Sequence, residues 1–196
     1  MRILRSVQYS MKCAETSENN PGGPKASGLF FKVEKMSVEK VREYLRQYGL
    51  EDKILIESKL TATVAMAAEA LGVSCARIAK TMAFHGKEEG SALLVVVSGD
   101  MKIANALFKQ QFGIKASMLD SASLLALTGH MPGGVCPFAL DGKKVSVYLD
   151  ESIKRFTTVF PACGSADSCI ELTLEQLELT SRSLGYVNVC KPAGIQ

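Results

Sequence analysis

The chain has 196 residues, 47% of them hydrophobic and 22% charged, and its formal net charge is +3 at pH 7. This composition is that of an ordinary globular protein, most simply one domain, and it excludes collagen-like and wholly disordered chains. The longest apolar run, residues 92–97, is far shorter than the roughly 20 residues that span a bilayer. The sequence has no long basic arm or polybasic block of the kind that wraps duplex nucleic acid, so any nucleic-acid contact is expected to be local.

The first 35 residues differ in composition from the rest of the chain. Residues 17–28 are polar and rich in proline and glycine, so residues 1–35 are predicted to be a disordered leader or extension. Three basic residues precede the first acidic one, Glu15, as in an organellar transit peptide, and a true start at Met36 is the alternative. We expect a cytoplasmic protein, or an organellar one if the leader is a targeting signal.

Six cysteines without a secretory signal indicate reduced, buried thiols rather than a disulfide framework. A zinc site built from Cys136, Cys163 and Cys169 is the weaker alternative, because these residues lack the paired spacing of zinc ligands. The sequence therefore predicts no metal and no cofactor.

The globular part is predicted to extend from residue 36 to residue 190, followed by a tail at 191–196. It begins with an amphipathic helix, for which Ser37 is the expected N-cap and Gly49 the expected stop. Its apolar face predicts that this helix packs against the core.

Helices and short strands then alternate irregularly. Further helices are predicted at 63–71, 74–79, 100–113, 121–127 and 174–180. Strands are predicted at 53–57, 80–86, 92–98, 115–119, 134–140, 145–149, 157–160 and 169–172. Asp100 is the expected N-cap of its helix, and hairpins are expected between 80–86 and 92–98 and, turning at 141–142, into the strand at 145–149. The pattern favours an α+β fold in which helices surround a mixed β-sheet.

Three segments carry residues suited to chemistry, although the common catalytic and nucleotide-binding motifs are absent from the sequence. The first is Lys80, at the start of an apolar strand, where a partly desolvated ammonium is suited to a phosphate or a developing oxyanion. The ordinary alternative is a lysine whose charge extends into solvent.

The second segment is the loop that contains Gly133 and Gly134 between Pro132 and Pro137. Amides without side chains can approach a ligand closely and donate hydrogen bonds to it, and the prolines fix the loop beforehand. The alternative is a wide structural turn.

The third segment is the small-residue loop within 160–172. Its Gly164 and Ser165 offer further amides to a ligand, and the alternative is an ordinary hairpin connection. For the two histidines, His85 and His130, a structural role is the favoured interpretation from the residues alone.

In its motifs the chain resembles the YbaK/ProX aminoacyl-tRNA deacylases, a family that includes the editing domain of bacterial-type prolyl-tRNA synthetases. The resemblance covers about residues 36–190 in family order. It rests on AAEALG (67–72), IAKT (78–81), VVSGD (96–100), TG (128–129), GGVCPF (133–138), VYLD (147–150), Gly164 and IEL (170–172). Each motif is weak alone, and together they are specific.

The resemblance implies a mixed, partly barrel-like sheet surrounded by helices, and hydrolysis of the ester that joins a wrong amino acid to tRNA. By this resemblance Lys80 holds the terminal phosphate, the loop from Gly133 to Pro137 binds the aminoacyl carbonyl region, and Gly164 lines the same pocket. The substrate's own ribose hydroxyl or side chain assists the attack in place of a protein base.

From the loops and this resemblance we expect Lys80, Gly133 and Gly134 to be catalytic. The expected substrate-binding residues are Thr81, Gly129, His130, Val135, Cys136, Pro137, Gly164 and Ser165. The expected partners are the acceptor end of an aminoacyl-tRNA and an aminoacyl-tRNA synthetase, with no membrane.

The chain departs from the cysteinyl-specific branch of the family at Ala162 and Cys169, where that branch has a serine and an aspartate. Alanine, serine, threonine and cysteine therefore stay open as the amino acid removed. The alternative function is a non-catalytic module that binds aminoacyl-tRNA or a nucleotide and acts with a synthetase.

Overall fold

The computed structural model describes residues 28–56, 63–140 and 143–193. Within this part of the chain the helices are α1 (Gly28–Arg46), α2 (Val64–Leu71), α3 (Asn105–Phe112), α4 (Ser121–Thr128) and α5 (Leu174–Ser181). The strands are β1 (Leu55–Ile56), β2 (Ile78–His85), β3 (Ala92–Ser98), β4 (Met101–Ile103), β5 (Val145–Asp150), β6 (Thr158–Pro161), β7 (Ser168–Cys169), β8 (Leu172–Thr173), β9 (Tyr186–Val187) and β10 (Cys190–Pro192). Most of the predicted leader and the predicted turn at 141–142 lie outside the described residues.

The main sheet has six strands in the order β8-β6-β2-β3-β5-β9. β2 is antiparallel to β3 and parallel to β6, while β5 is parallel to both β3 and β9. The sheet is therefore mixed, as predicted, and it curls into a half-barrel with helices around it. Two short ribbons, β1-β7 and β4-β10, lie beside it.

β3 lies at the centre of the sheet, and all seven of its residues are buried. Its sequence is apolar without alternation because both of its faces are covered. Leu94 and Val96 belong to a first core cluster, which includes the buried face of α1. Val95 and Val97 belong to a second core cluster on the opposite face of the sheet, which includes Phe108 of α3.

Two predictions from local patterns are confirmed. The expected hairpin is formed by β2 and β3, in a register that places Lys80 opposite Val97. The helix expected at 63–71 is α2, which Thr63 caps through its side chain and Gly72 ends in a left-handed conformation. Both features depend on neighbouring residues, which is why the sequence predicts them well.

The predicted strand at 134–140 is wrong, and so is the hairpin that was expected to join it to the next strand. Residues 134–140 form a loop, and β5 instead lies parallel to β3, with Leu149 opposite Val96. The loop has an apolar sequence because its residues, including Cys136 and Phe138, fill the first core cluster. The hydrophobicity of a sequence therefore does not distinguish a buried loop from a buried strand.

Two predicted N-caps are also wrong. Ser37 lies inside α1, which begins at Gly28, and its hydroxyl bonds to His130. Asp100 precedes a strand rather than a helix, and its carboxylate accepts hydrogen bonds from Arg155. Each side chain is bound by a residue far along the chain, which a capping pattern does not reveal.

The strands after α5 were not predicted from the sequence. β9 and β10 are two and three residues long, and β10 pairs with β4 far earlier in the chain. This pairing covers part of the second core cluster with Cys190 and Ile103. None of the described helices has the length and apolar character needed to cross a membrane.

Candidate active site

Lys80 lies near the start of β2 with its side chain on the face of the second core cluster. Successive residues of a strand point to opposite faces, and Met82 and Phe84, which alternate with Lys80, belong to that cluster or pack against it. The Lys80 ammonium donates a hydrogen bond of 3.3 Å to the carbonyl oxygen of Gly99, just beyond the end of β3. The side chain is half-buried and is held near the start of β2, an interior strand of the sheet.

Burial and two neighbouring groups shift the pKa of Lys80. Desolvation lowers the pKa of Lys80, whereas the charge of Asp100 and the Cys190 thiol act in the opposite direction. Burial, followed by the charge of Asp150, raises the pKa of the Cys190 thiol, so this thiol is protonated and gives Lys80 no formal counter-charge. Asp100 is therefore the anionic neighbour of the ammonium.

Asp100 is itself held in place by a network of hydrogen bonds. Arg155 binds both of its carboxylate oxygens, at 2.6 and 3.0 Å, and Ser98 donates to one of them at 2.6 Å. Burial alone acts to raise the pKa of Asp100, but the bonds from Arg155 and Ser98 outweigh it and the pKa is lowered. The network fixes the turn that carries Gly99, the acceptor of the Lys80 bond.

Thr81 points to the opposite face from Lys80. Its neighbours in the alternation, Ala79 and Ala83, belong to the first core cluster. The Thr81 hydroxyl oxygen is buried and has no hydrogen-bond partner among the described residues. A buried polar atom without a partner is costly, so this hydroxyl is unfavourable for the fold by itself.

His130 joins the loop after α4 to α1. Its Nδ1 lies 2.7 Å from the Ser37 hydroxyl and its Nε2 lies 3.1 Å from the carbonyl oxygen of Phe138. A carbonyl only accepts, so the network assigns the proton to Nε2, and Ser37 then donates to Nδ1. Burial lowers the pKa of His130, and the charge of Lys40 lowers it further. The ring is thus neutral and closes the loop.

The glycines of the two loops pack directly against each other. A Cβ atom on Gly134 would lie 2.5 Å from the carbonyl oxygen of Gly164 and 2.6 Å from the Cα of Ser165. A Cβ atom on Gly164, whose φ is +97°, would lie 2.8 Å from the Ser37 hydroxyl. Gly134 and Gly164 are therefore required by close packing, which the sequence analysis did not foresee.

The amides that were expected to meet a ligand differ in availability. The N–H of Gly134 donates to the carbonyl oxygen of Met131 at 3.0 Å, and that of Ser165 donates to the Ser168 hydroxyl at 3.1 Å. The exposed Gly133, at φ +92°, has no bond from its amide to any residue in the described part of the chain. Of these three amides, only that of Gly133 forms no hydrogen bond to a described residue.

The remaining predicted site residues line the loop. Gly129 ends α4 in a left-handed conformation, and Val135 packs against the first core cluster. Pro137 lines a surface pocket of about 220 Å³ together with Tyr44. Ligand pockets commonly have volumes of roughly 300–1,000 Å³, so this pocket is small for a ligand of its own.

The cysteines in the described part of the chain give no sign of a metal site or of a reactive thiol. Burial raises the pKa of Cys136 to about 12 and raises that of Cys163 well above its ordinary value, so both thiols are protonated and inert. Among the described residues no group of three metal-binding side chains is close enough to hold an ion, and the zinc alternative has no support. Cys75 is disulfide-bonded, so the expectation of reduced thiols throughout is wrong at this residue.

Lys80 and the glycine loops lie on opposite faces of the sheet, so a substrate that contacts both has to pass the end of the sheet where β2 begins. β6 ends at Pro161 directly beside Ala79, so the loop that carries Gly164 leaves the sheet next to Lys80 and Thr81. Thr81 shares its face with the glycine loops, and Lys80 lies on the other face. The start of β2 thus separates the Lys80 half of the candidate site from the half formed by the glycine loops.

The comparisons with known proteins assign this arrangement to a family. The family model for the aminoacyl-tRNA editing domain matches residues 58–179, a span that includes Lys80 and both glycine loops. The chain belongs to the aminoacyl-tRNA editing domain family. The resemblance drawn from the motifs is thereby confirmed.

Two curated relatives of this editing domain show how far the similarity extends. The Bacillus subtilis protein YwhH, described as uncharacterized, is 47% identical over 156 residues, which are 80% of this chain and 98% of YwhH. The Enterococcus faecalis protein EbsC, named as a candidate Cys-tRNA(Pro)/Cys-tRNA(Cys) deacylase, is 29% identical over 110 residues, which are 56% of this chain and 66% of EbsC.

A solved structure confirms the fold of the editing domain. A crystal structure described as a candidate trans-editing enzyme for prolyl tRNA synthetase superimposes with a TM-score of 0.71 and 24% sequence identity, over 79% of this chain and 97% of that chain. The predicted α+β fold with a mixed, partly barrel-like sheet is therefore correct.

Several residues of the editing domain that support the site were missed from the sequence. Arg155 and Asp150, which hold Asp100 and Cys190 around Lys80, were assigned no role, and Ser37 was assigned the wrong one. Asp100 is part of the motif VVSGD (96–100), so the sequence drew attention to this residue. The motif does not show that Arg155 is its partner. No local signal marks Arg155.

Proposed function

We propose that this protein is a trans-editing hydrolase that removes a wrongly attached small amino acid from tRNA by cleaving the aminoacyl ester. The observation that carries the proposal is the partly buried ammonium of Lys80, held near the start of β2 by the Gly99 carbonyl, in a chain of the editing domain family. A desolvated ammonium is a strong point charge for a phosphate. We assign it the terminal phosphate of the acceptor end.

The aminoacyl group is assigned to the face of the glycine loops. The Thr81 hydroxyl, buried and without a partner among the described residues, lies on this face and is assigned a hydrogen bond to the substrate. The two loops meet at Gly134 and Gly164, whose backbones are in close contact. We assign to this face an amino acid with a small side chain: alanine, serine, threonine or cysteine.

The chemical step follows from the groups available. Water attacks the ester carbonyl carbon, and the carbonyl oxygen becomes negative and accepts a hydrogen bond from the Gly133 amide. The bond between the carbonyl carbon and the ribose oxygen then breaks. His130 is buried and neutral with both ring nitrogens bonded, so it is not free to act as the base. A substrate group, such as the ribose hydroxyl beside the ester, carries the proton from the attacking water to the leaving oxygen.

The direct test is a deacylation panel. Alanyl, seryl, threonyl and cysteinyl esters on proline, alanine and cysteine tRNAs are incubated with and without the protein, and the released amino acid is measured. Selective release well above the spontaneous rate supports the hydrolase. Tight tRNA binding with no faster release across the panel contradicts it and favours a non-catalytic module.

Partner and compartment follow from the same proposal. A freestanding editing protein must meet aminoacyl-tRNA after release from a synthetase, so we assign it the acceptor end as its substrate and a synthetase as a transient partner. We place it in the cytoplasm. The organellar alternative depends on the leader, which lies mainly outside the described residues.

A further inference from the structure

The β4-β10 ribbon places two lysines directly opposite each other. The strands are antiparallel, and their register pairs Lys102 with Lys191. Directly opposed residues of such a pair point to the same side, with Cα atoms about 5 Å apart. Their neighbours Ile103 and Cys190 face the second core cluster, so the two lysines point away from it, and both are exposed.

This pair of like charges is unfavourable for the fold by itself. Like charges opposite each other on neighbouring strands destabilise a sheet, whereas opposite charges stabilise it. In the part of the chain that the structure describes, neither lysine forms an ion pair with an acidic residue. The ribbon therefore presents two positive charges that the described residues leave unneutralised.

The ribbon is also connected to the candidate active site. It follows directly from Gly99 and Asp100, the residues that bind Lys80 and balance its charge. On the other strand, Cys190 precedes Lys191 and lies close enough to Lys80 to interact with its charge. Both strands of the ribbon thus connect the lysine pair to residues that contact or face Lys80.

We propose that Lys102 and Lys191 form a binding surface for the phosphate backbone of the substrate RNA. The proposal rests on the proposed function, since it assigns to this surface the part of the tRNA beyond the ester. Two adjacent lysines suit a repeated phosphate backbone, which is recognised by charge and without sequence preference. The surface provides affinity for the RNA beyond the ester, whereas Lys80 binds the terminal phosphate and the glycine loops bind the aminoacyl group.

The test compares a long and a short substrate. Lys102→Glu and Lys191→Glu are assayed with full-length aminoacyl-tRNA and with an aminoacylated trinucleotide that lacks the acceptor stem. We expect each variant to lower kcat/KM for the tRNA about tenfold at low salt, and to reduce the slope of log Kd against log salt for uncharged tRNA by about 1. The matched control is Lys87→Glu, which changes an exposed lysine in the turn at the far end of the β2-β3 hairpin.

A stability measurement separates lost binding from damage to the fold. Lys102→Glu places opposite charges across the ribbon, so its Tm is expected to rise while its tRNA binding weakens. The double variant Lys102→Glu/Lys191→Glu restores repulsion, so it is expected to melt below the single variant and to bind tRNA more weakly still.

The outcomes distinguish this proposal from the proposed function. Unchanged tRNA binding and salt slope in both single variants, with an active wild type, overturn the ribbon and leave the hydrolase standing. An inactive wild type whose tRNA binding still depends on both lysines overturns the hydrolase and supports the ribbon. Loss of binding to a synthetase with unchanged tRNA binding overturns the RNA surface in favour of an acidic protein surface.

Discussion

The hydroxyl of Ser37 donates a hydrogen bond of 2.7 Å to Nδ1 of His130, 93 residues further along the chain. This bond connects α1 to the loop that carries Gly133, and the other ring nitrogen of His130 closes that loop on Phe138. Ser37 also lies against Gly164 of the second glycine loop. Through its contacts with His130 and Gly164, Ser37 therefore connects α1 to both glycine loops of the candidate site.

Removal of this hydroxyl is expected to destabilise the fold. Ser37→Ala leaves Nδ1 of His130 buried without a donor, at a cost of about 1–3 kcal/mol in the free energy of unfolding. Chemical denaturation measures the change. Ser121→Ala is the control, because Ser121 is exposed at the start of α4 and its replacement is expected to change stability by no more than about 0.5 kcal/mol. Equal stability of both variants contradicts the role assigned to Ser37.

The neutral state of His130 predicts a dependence of stability on pH. Its pKa in the fold is lowered from 6.5, first by burial and then by Lys40, so below about pH 6.5 the unfolded chain binds the proton more readily than the fold does. Stability is therefore complete above this pH and falls as the pH drops through it towards the lowered pKa. The lowered pKa of Asp100 acts only below its ordinary value of 3.8 and is separate.

The chain has two histidines, so replacing each in turn shows which one causes the fall in stability at low pH. The midpoint of urea unfolding is measured between pH 5 and pH 8 for the wild type, His130→Gln and the control His85→Gln. The fall near pH 6 is expected to persist in His85→Gln, whose site is exposed, and to vanish in His130→Gln. Its persistence in His130→Gln contradicts the assignment.

The contact between the glycine loops predicts the effect of a single methyl group. Gly134→Ala forces its Cβ against the backbone of Gly164 and Ser165, so the loops must separate. We expect a loss of about 1–3 kcal/mol in stability and about a 10²-fold loss of deacylation, because a small displacement of the binding groups is costly. Gly113→Ala is the control, since a Cβ there meets nothing within 4 Å and it lies at the end of α3. It is expected to lose some stability and no activity.

The buried Thr81 hydroxyl predicts that stability and activity change in opposite directions. Thr81→Val removes a polar atom without a described partner, so stability is expected to stay equal or to rise by about 1 kcal/mol. The same change removes a hydrogen bond to the substrate and is expected to lower kcat/KM about tenfold. Thr128→Val is the matched control, because Thr128 bonds to Leu124 and His130 and its loss destabilises the fold. Wild-type kcat/KM in Thr81→Val contradicts substrate contact.

Local patterns in the sequence were sufficient for much of the fold. The strand-like segments at 80–86 and 92–98 predicted the β2-β3 hairpin, and Thr63 and Gly72 bounded α2. The two adjacent glycines predicted a loop in which the backbone matters. These features are encoded within a few residues of one another, so they are read without knowledge of the tertiary structure.

The tertiary partners of the site could not be predicted in this way. Ser37 has the residue type of an N-cap, and only the position of His130 shows its role. Residues 101–103 continue the pattern of a helix, but pairing with β10 makes them a strand. Gly134 was attributed to ligand approach, whereas its packing against Gly164 requires glycine even without a ligand. In each case a distant segment decides the local conformation.

The central claim is that Lys80 makes this editing domain a hydrolase, and the most direct measurement is deacylation by Lys80→Ala. The rate of amino-acid release from the best substrate of the panel is compared for the wild type, Lys80→Ala and the exposed control Lys87→Ala. For Lys80→Ala alone, the rate of release is predicted to fall about 10²-fold or more. The variant is expected to keep a cooperative melt, because it removes a charge whose burial is unfavourable. A folded Lys80→Ala protein that releases the amino acid at the wild-type rate contradicts the account.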